Sequence, residues 1–346
     1  MSKIVPKTAQ YFKNYSTQIK IMEVCGTHTS VIMQSGIPAL LGGNIQLISG
    51  PGCPVCVTNQ SYINRLVQLA LTPSCCVLSF GDMLKVQGTQ MSLAGAKAIG
   101  GRAEYFYTPL EVLQKAAQEP STTFVVAAVG FETTAPVFAL LADEVIRQNI
   151  KNIKFLTALK TMPPILDIVA AEAEIDGFLC PGNVAVITGE QPFRHIAKKH
   201  RKPCVVAGFD PQQITAAIFV LAQQIEQQKH GFFNIYKSAV NAKPQVKANA
   251  LTEKYFAKGD AVWRGIGLVE NSGLYLKPEF ADYDCGSYTA GTCSEEEHTN
   301  GCRCSEVITG RIAPPQCGLF GTKCTPSTPV GPCMVSVEGA CNAYAF

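Results

Sequence analysis

Cys53 and Cys56 stand two residues apart in the Gly/Pro turn sequence GPGCPVC, residues 50–56. Such a pair can hold zinc, ligate an iron–sulfur cluster, or cycle between dithiol and disulfide. A thiol pair on a turn of this kind is poorly placed for core packing. A helix opening behind it would favour thiolate through its N-terminal dipole. Zinc would need two more ligands, and Cys25 and His28 of VCGTHTS can supply them, so the residues alone leave all three chemistries open.

The chain carries fifteen cysteines, and eight of them fall between 285 and 341, which points to a local metal site rather than scattered core thiols. Cys302, Cys317, Cys324 and Cys341 read C-x14-C-x6-C-x16-C, with Cys304 and Cys333 between them. Four thiolates suit an iron–sulfur cluster or a structural zinc, and the spacing matches no common form of either. Cys285 and Cys293 widen the choice of ligands. Cys75, Cys76, Cys180 and Cys204 lie in or beside apolar runs and read as core thiols.

Other polar residues follow apolar runs. Asp82 follows FG, Glu132 lies in GFETT, and Asn183 lies in CPGNV. Each has a plain structural use: a helix cap, a first-turn charge, or a turn residue. Their shared position gives them a second reading. Ligands of open parallel sheets bind beyond the carboxyl ends of the strands, so Cys25, His28, Cys53, Cys56, Asp82, Glu132 and Asn183 are expected to face one cleft.

The elements that would place them are legible as eight short apolar runs: IKIMEVCG, IQLISGPG, CCVLSFGD, AEYFYTPL, TFVVAAVGFE, IKFLTALK, GFLCPG and CVVAGFD. Between them lie helical patterns at 59–71, 109–118, 135–149, 163–174, 191–200 and 211–228. Alternation of this kind predicts parallel strands in βαβ units. The expected fold is α/β. It has two similar domains, each with a mostly parallel four-stranded sheet flanked by helices, plus a smaller Cys-rich domain. The expected boundaries are 21–119, 120–235 and 236–346, with 1–20 a candidate addition to the third. The region from 284, rich in Gly, Cys, Thr and Pro, needs a metal or disulfides to hold it.

With 47% apolar and 16% charged residues the 346-residue chain is globular, and its net charge is +3. The basic run HIAKKHRK, 195–202, reads as an exposed helix end rather than a nucleic-acid surface. The N-terminus has no secretory apolar stretch, and no run approaches the roughly 18 apolar residues of a membrane span, so a cytoplasmic protein is expected.

Several motifs in order resemble one family. MEVCGTHTS (22–30), GPGCPVCVT (50–58), FGDM (80–83), VGFETTAP (129–136), PGNVAVITG (181–189), VAGFD (206–210) and the tail CGLFGTKCTPSTPVGPCMVSVEGAC (317–341) look like the HypD family of nickel–iron hydrogenase maturation proteins. The resemblance runs over most of the chain and implies a redox-active assembly scaffold rather than a conventional turnover enzyme. On it, an iron atom receives two cyanides and one carbon monoxide. It implies a 4Fe–4S cluster on Cys302, Cys317, Cys324 and Cys341, and a redox pair of Cys304 and Cys333 beside it. It makes Cys25 the thiolate that holds the cargo iron with a partner's cysteine, and Cys53/Cys56 a redox dithiol fed by the cluster. His28 would orient or protonate a cyanide, with Asp82 and Glu132 orienting these groups. Expected partners are a HypC-type small chaperone and a HypE-type cyanide donor, with no nucleic acid and no membrane. The chain departs from the family pattern at Asn183 and Ser30, where the family usually has histidine. Two other functions fit the residues: an iron–sulfur thiol oxidoreductase or electron-transfer protein without iron–cyanide cargo, and a zinc-binding docking protein.

Overall fold

All eight apolar runs form strands in the computed structural model, which describes residues 4–171, 174–293 and 300–345. They are β1 (Ile19–Glu23), β2 (Ile45–Ser49), β3 (Cys75–Ser79), β4 (Ala103–Tyr105), β5 (Thr123–Gly130), β6 (Ile153–Lys160), β7 (Gly177–Pro181) and β8 (Cys204–Ala207). A short β9 (Phe232–Asn234) and a hairpin of β10 (Phe256–Trp263) and β11 (Gly267–Leu276) complete the sheets. In β5 every residue after Thr123 is buried, which suits a strand covered on both faces.

Two sheets result. One is wholly parallel, in the order β2-β1-β7-β8-β9. The other has the order β10-β11-β6-β5-β3-β4, with four parallel strands and an antiparallel hairpin on one edge. The expected four-strand parallel cores are present. They are not sequential halves of the chain: β1 and β2 leave the first 50 residues to join β7, across the split expected near 120. Strand order follows which crossover packs where, a long-range matter on which apolar periodicity is silent.

Residues 1–20 were a candidate addition to the Cys-rich region, and the first helix packs on the α/β body. Helix α1 (Ile4–Lys13) and the turn after it lie against the helix Pro211–Glu226. The Tyr15 hydroxyl donates to Ala222 O at 3.1 Å, and Phe12 is buried. The basic run forms the end of the helix Gln191–His200, whose other face is buried, and there Lys199 and His200 both bond Asp167.

One continuous core joins the inner faces of the two sheets to the C-terminal region, with Met22, Phe178, Val125 and Leu156 alongside Cys304, Cys333 and Met334. The Cys-rich segment therefore leans on the α/β body for its apolar burial. Cys76, Cys180 and Cys204 are buried core thiols as expected, whereas Cys75 is half-buried at the start of β3.

Candidate functional site

Cys25 sits where β1 ends and helix α2 (Gly26–Gln34) begins, in the extended conformation of an N-cap residue. The backbone N–H groups of Thr27 and His28 favour its thiolate. This end of the helix favours negative charge. Burial outweighs that and pushes the Cys25 thiol up to about 12.

Three loops meet at Cys25 at backbone distance. A side chain on Gly52 would place its Cβ 2.4 Å from Cys25 N, and one on Gly26 would place it 2.3 Å from the Glu338 carbonyl oxygen. Only glycine allows either approach. Gly26 N–H donates to Gly52 O at 3.2 Å, and Ser30 Oγ donates to Val337 O at 2.9 Å. Ser30, one of the two departures from the family pattern, thus anchors the C-terminal tail onto α2.

Cys25, Phe131, Thr134, Met162, Asn183 and Glu338 line one cleft, with Gly52 and Pro54 in the same wall. Cys53 and Cys56 form a disulfide behind that wall. The Cys53 sulfur accepts the Cys56 N–H at 3.2 Å, and the Cys56 sulfur lies 3.8 Å from Pro332 O. Asn183 Oδ1 accepts Val184 N–H at 2.9 Å, which engages the oxygen and leaves its NH2 as the remaining donor.

Of the residues expected to face one cleft, Glu132, Asp82 and His28 are outside its lining. Glu132 is buried with Oε1 accepting Met162 N–H at 2.7 Å, and burial pushes its carboxyl up to about 7. Asp82 lies in the short turn Gly81–Lys85, near enough to Glu338 for its charge to raise that carboxyl. His28 is apart from the cleft lining. Its ring is fully buried against Phe209, with Nε2–H donating to Gly208 O at 3.0 Å, and burial lowers its pKa to about 4. It is neutral at physiological pH and ties α2 to the turn after β8.

Two carboxyls at Cys25 were not singled out from sequence. Glu338 lines the cleft and accepts from Thr27 Oγ1 at 3.2 Å, and burial raises its pKa. Glu23 lies under the Cys25 loop, where Oε2 accepts Cys25 N–H at 3.2 Å and Oε1 accepts from Thr29 Oγ1. It is buried, and that burial pushes its carboxyl up to about 8. An acid ending an otherwise buried strand was the available signal for Glu23, since such residues are rarely buried without partners.

A small cavity elsewhere is lined by Cys302, Cys304, Cys317, Cys324, Cys333 and Cys341, and Pro332, whose carbonyl meets the Cys56 sulfur, stands between its lining residues Gly331 and Cys333. The Cys304 and Cys333 sulfurs are 2.7 Å apart. Val330 N–H donates to the Cys324 sulfur at 3.3 Å, and a Cβ on Gly331 would lie 2.4 Å from the Cys302 sulfur. Among the described residues, no three or more His, Cys, Asp or Glu side chains are arranged to hold a single metal ion. The thiols instead surround a volume walled by Phe320 and Met334. Thiolate donors, an N–H aimed at a sulfur and an apolar wall are the features that hold and tune an iron–sulfur cluster, so the residues fit that group. Cys293 is exposed, and Cys285 is half-buried with its carbonyl accepting from Arg65; neither lines this cavity.

A family model described as "HypD: Hydrogenase formation hypA family" matches residues 1–346. The chain is 37% identical over 333 residues to a hydrogenase maturation factor HypD of Rhizobium leguminosarum bv. viciae, covering 93% of this chain and 86% of that one. It is 36% identical over 329 residues to the factor of that name from Escherichia coli K12, covering 94% and 88%. With the one from Azotobacter vinelandii it shares 35% identity over 339 residues, covering 95% and 89%. Among the described residues no helix is long and apolar enough to cross a membrane.

Proposed function

The chain belongs to the HypD hydrogenase-formation family, and we propose that it matures nickel–iron hydrogenase as a scaffold for the Fe(CN)2CO unit, with the cargo iron held at Cys25 in the cleft. One observation carries this reading. A buried cysteine at a helix N-terminus shares its cleft with Asn183 and Glu338, and the Cys53–Cys56 disulfide adjoins both that cleft, through Gly52 and Pro54, and the six-cysteine cavity, through Pro332.

Cys25 is the soft ligand that low-spin iron requires. With its thiol raised to about 12 it is protonated at rest, so binding iron must displace a proton. Glu338 borders the same cleft and is held above the usual carboxylate range, which suits it to accept that proton. The Thr27 and His28 amides then stabilise the thiolate that remains. The Asn183 NH2 is suited to donate to a cyanide nitrogen, and it does so without titrating.

Reduction of the Cys53–Cys56 disulfide consumes two electrons and two protons and yields two thiols. Cys302, Cys317, Cys324 and Cys341 would hold the 4Fe–4S cluster, whose chemistry when bound is one-electron transfer. Cys304 and Cys333 line the same cavity, and Cys333 follows Pro332, whose carbonyl meets Cys56. A HypC-type chaperone would add a second thiolate to the iron, and a HypE-type protein would supply cyanide.

The test is iron retention. Purified anaerobically with its small partner, the wild-type protein should carry iron in excess of cluster iron, and Cys25→Ser should lose that excess while keeping cluster iron and sulfide. Equal iron in both proteins overturns Cys25 as the anchor.

A further inference from the structure

Arg264 follows β10 and is only 6% exposed. Its backbone N–H donates to Val57 O at 2.9 Å, and its Nε–H donates to Thr58 O at 2.9 Å. Those are the two residues after Cys56. The bridge between Thr58 and Trp263 fixes the same junction. The side chain lines a second cavity with Cys302, Cys304, Ser305, Gly331 and Pro332, so one arginine touches the disulfide loop and the wall of the six-cysteine site.

We infer that Arg264 is a positioning residue whose buried guanidinium fixes the Cys53–Cys56 loop against the six-cysteine site and makes the group held there easier to reduce. The inference rests on the proposed cluster. Four thiolates around a cluster already carry net negative charge, and each added electron increases it. A permanent cation at the wall of a poorly solvated site opposes that build-up, and guanidinium stays charged at any working pH. A merely structural arginine would hold the Thr58 carbonyl without altering the potential.

The experiment is an anaerobic dithionite titration of the full chain, followed by visible absorbance, for wild type, Arg264→Gln and Arg264→Lys. Iron and sulfide are counted first. At a potential where the wild type is half-reduced, Arg264→Gln should show a reduced-to-oxidised ratio about tenfold lower, which is about 59 mV for a one-electron couple. Arg264→Lys, which keeps the charge, should recover most of it. Superimposed wild-type and Gln curves overturn the inference, as do equal shifts in Gln and Lys. Should Arg264→Gln fail to fold, Gln87→Lys adds a cation at the exposed rim of the same cavity. At low ionic strength its curve should move toward easier reduction, and no movement overturns the inference. A wild type without iron and sulfide fails earlier and differently: it overturns the cluster reading, and this inference with it.

Discussion

The Thr27 hydroxyl donates to the Glu338 carboxylate at 3.2 Å, joining residues 311 apart in the chain. That bond brings an acid from the C-terminal tail to the mouth of the cleft that holds Cys25. The tail thus serves the cleft as well as the cysteine cavity, since Glu338 is three residues from Cys341.

Removing that charge should make Cys25 easier to ionise. Glu338 and Glu23 both push the Cys25 thiol up through their negative charge. In Glu338→Gln the pH profile of Cys25 alkylation, followed by mass spectrometry, should move to lower pH. An unmoved profile would show that Glu338 has no electrostatic hold on the thiol.

Glu23 gives a pH dependence of stability. Its carboxyl is raised from 4.5 to about 8 in the folded state, chiefly by burial. The folded chain therefore holds a proton there that the unfolded chain releases above its ordinary pKa. The stability from this proton is complete below pH 4.5 and is lost as pH rises to about 8. Melting temperature should fall over the upper part of this window, and Glu23→Gln should flatten the fall. Parallel wild-type and Gln curves would contradict the assignment.

Gly331→Ala should empty the cysteine cavity. The new methyl would lie 2.4 Å from the Cys302 sulfur, closer than atoms pack. Overpacking costs about 1–3 kcal/mol, seen as a lower denaturation midpoint, and iron and sulfide content should drop together. Full cluster content in this variant would mean that the cavity is not where the cluster sits.

Cys302→Ala should separate the two sites. Iron–sulfur absorbance should disappear, and the C-terminal region should lose stability, while Cys25 remains open to alkylation. If Cys25 alkylation also fails, the cleft depends on the cluster for its fold.

Much of the fold is legible in the sequence. The strands announced themselves because residues buried on both faces of a parallel sheet leave long apolar runs, as in TFVVAAVG. The Gly/Pro turn at Cys53 and Cys56 marked a thiol pair poorly placed for core packing, yet both cysteines are buried in the main core, where they form a disulfide beside the cleft wall. Sheet order was not legible, because β1 pairs with β7 across more than a hundred residues and nothing local records it. Glu338 was missed for the same reason: its partner Thr27 lies at the other end of the chain. His28 shared a motif with Cys25, yet the turn of α2 carries its ring away toward Gly208. Spacing in sequence set the two residues close but could not tell which way each would face.

Iron held at Cys25 would bear cyanide and carbon monoxide. Infrared spectroscopy of the anaerobically isolated complex with its small partner tests it most directly. Cyanide and carbonyl stretching bands are expected in the wild-type complex, with their loss in Cys25→Ala while the cluster is retained. A functional complex without those bands, or a Cys25→Ala complex that keeps them, would contradict it.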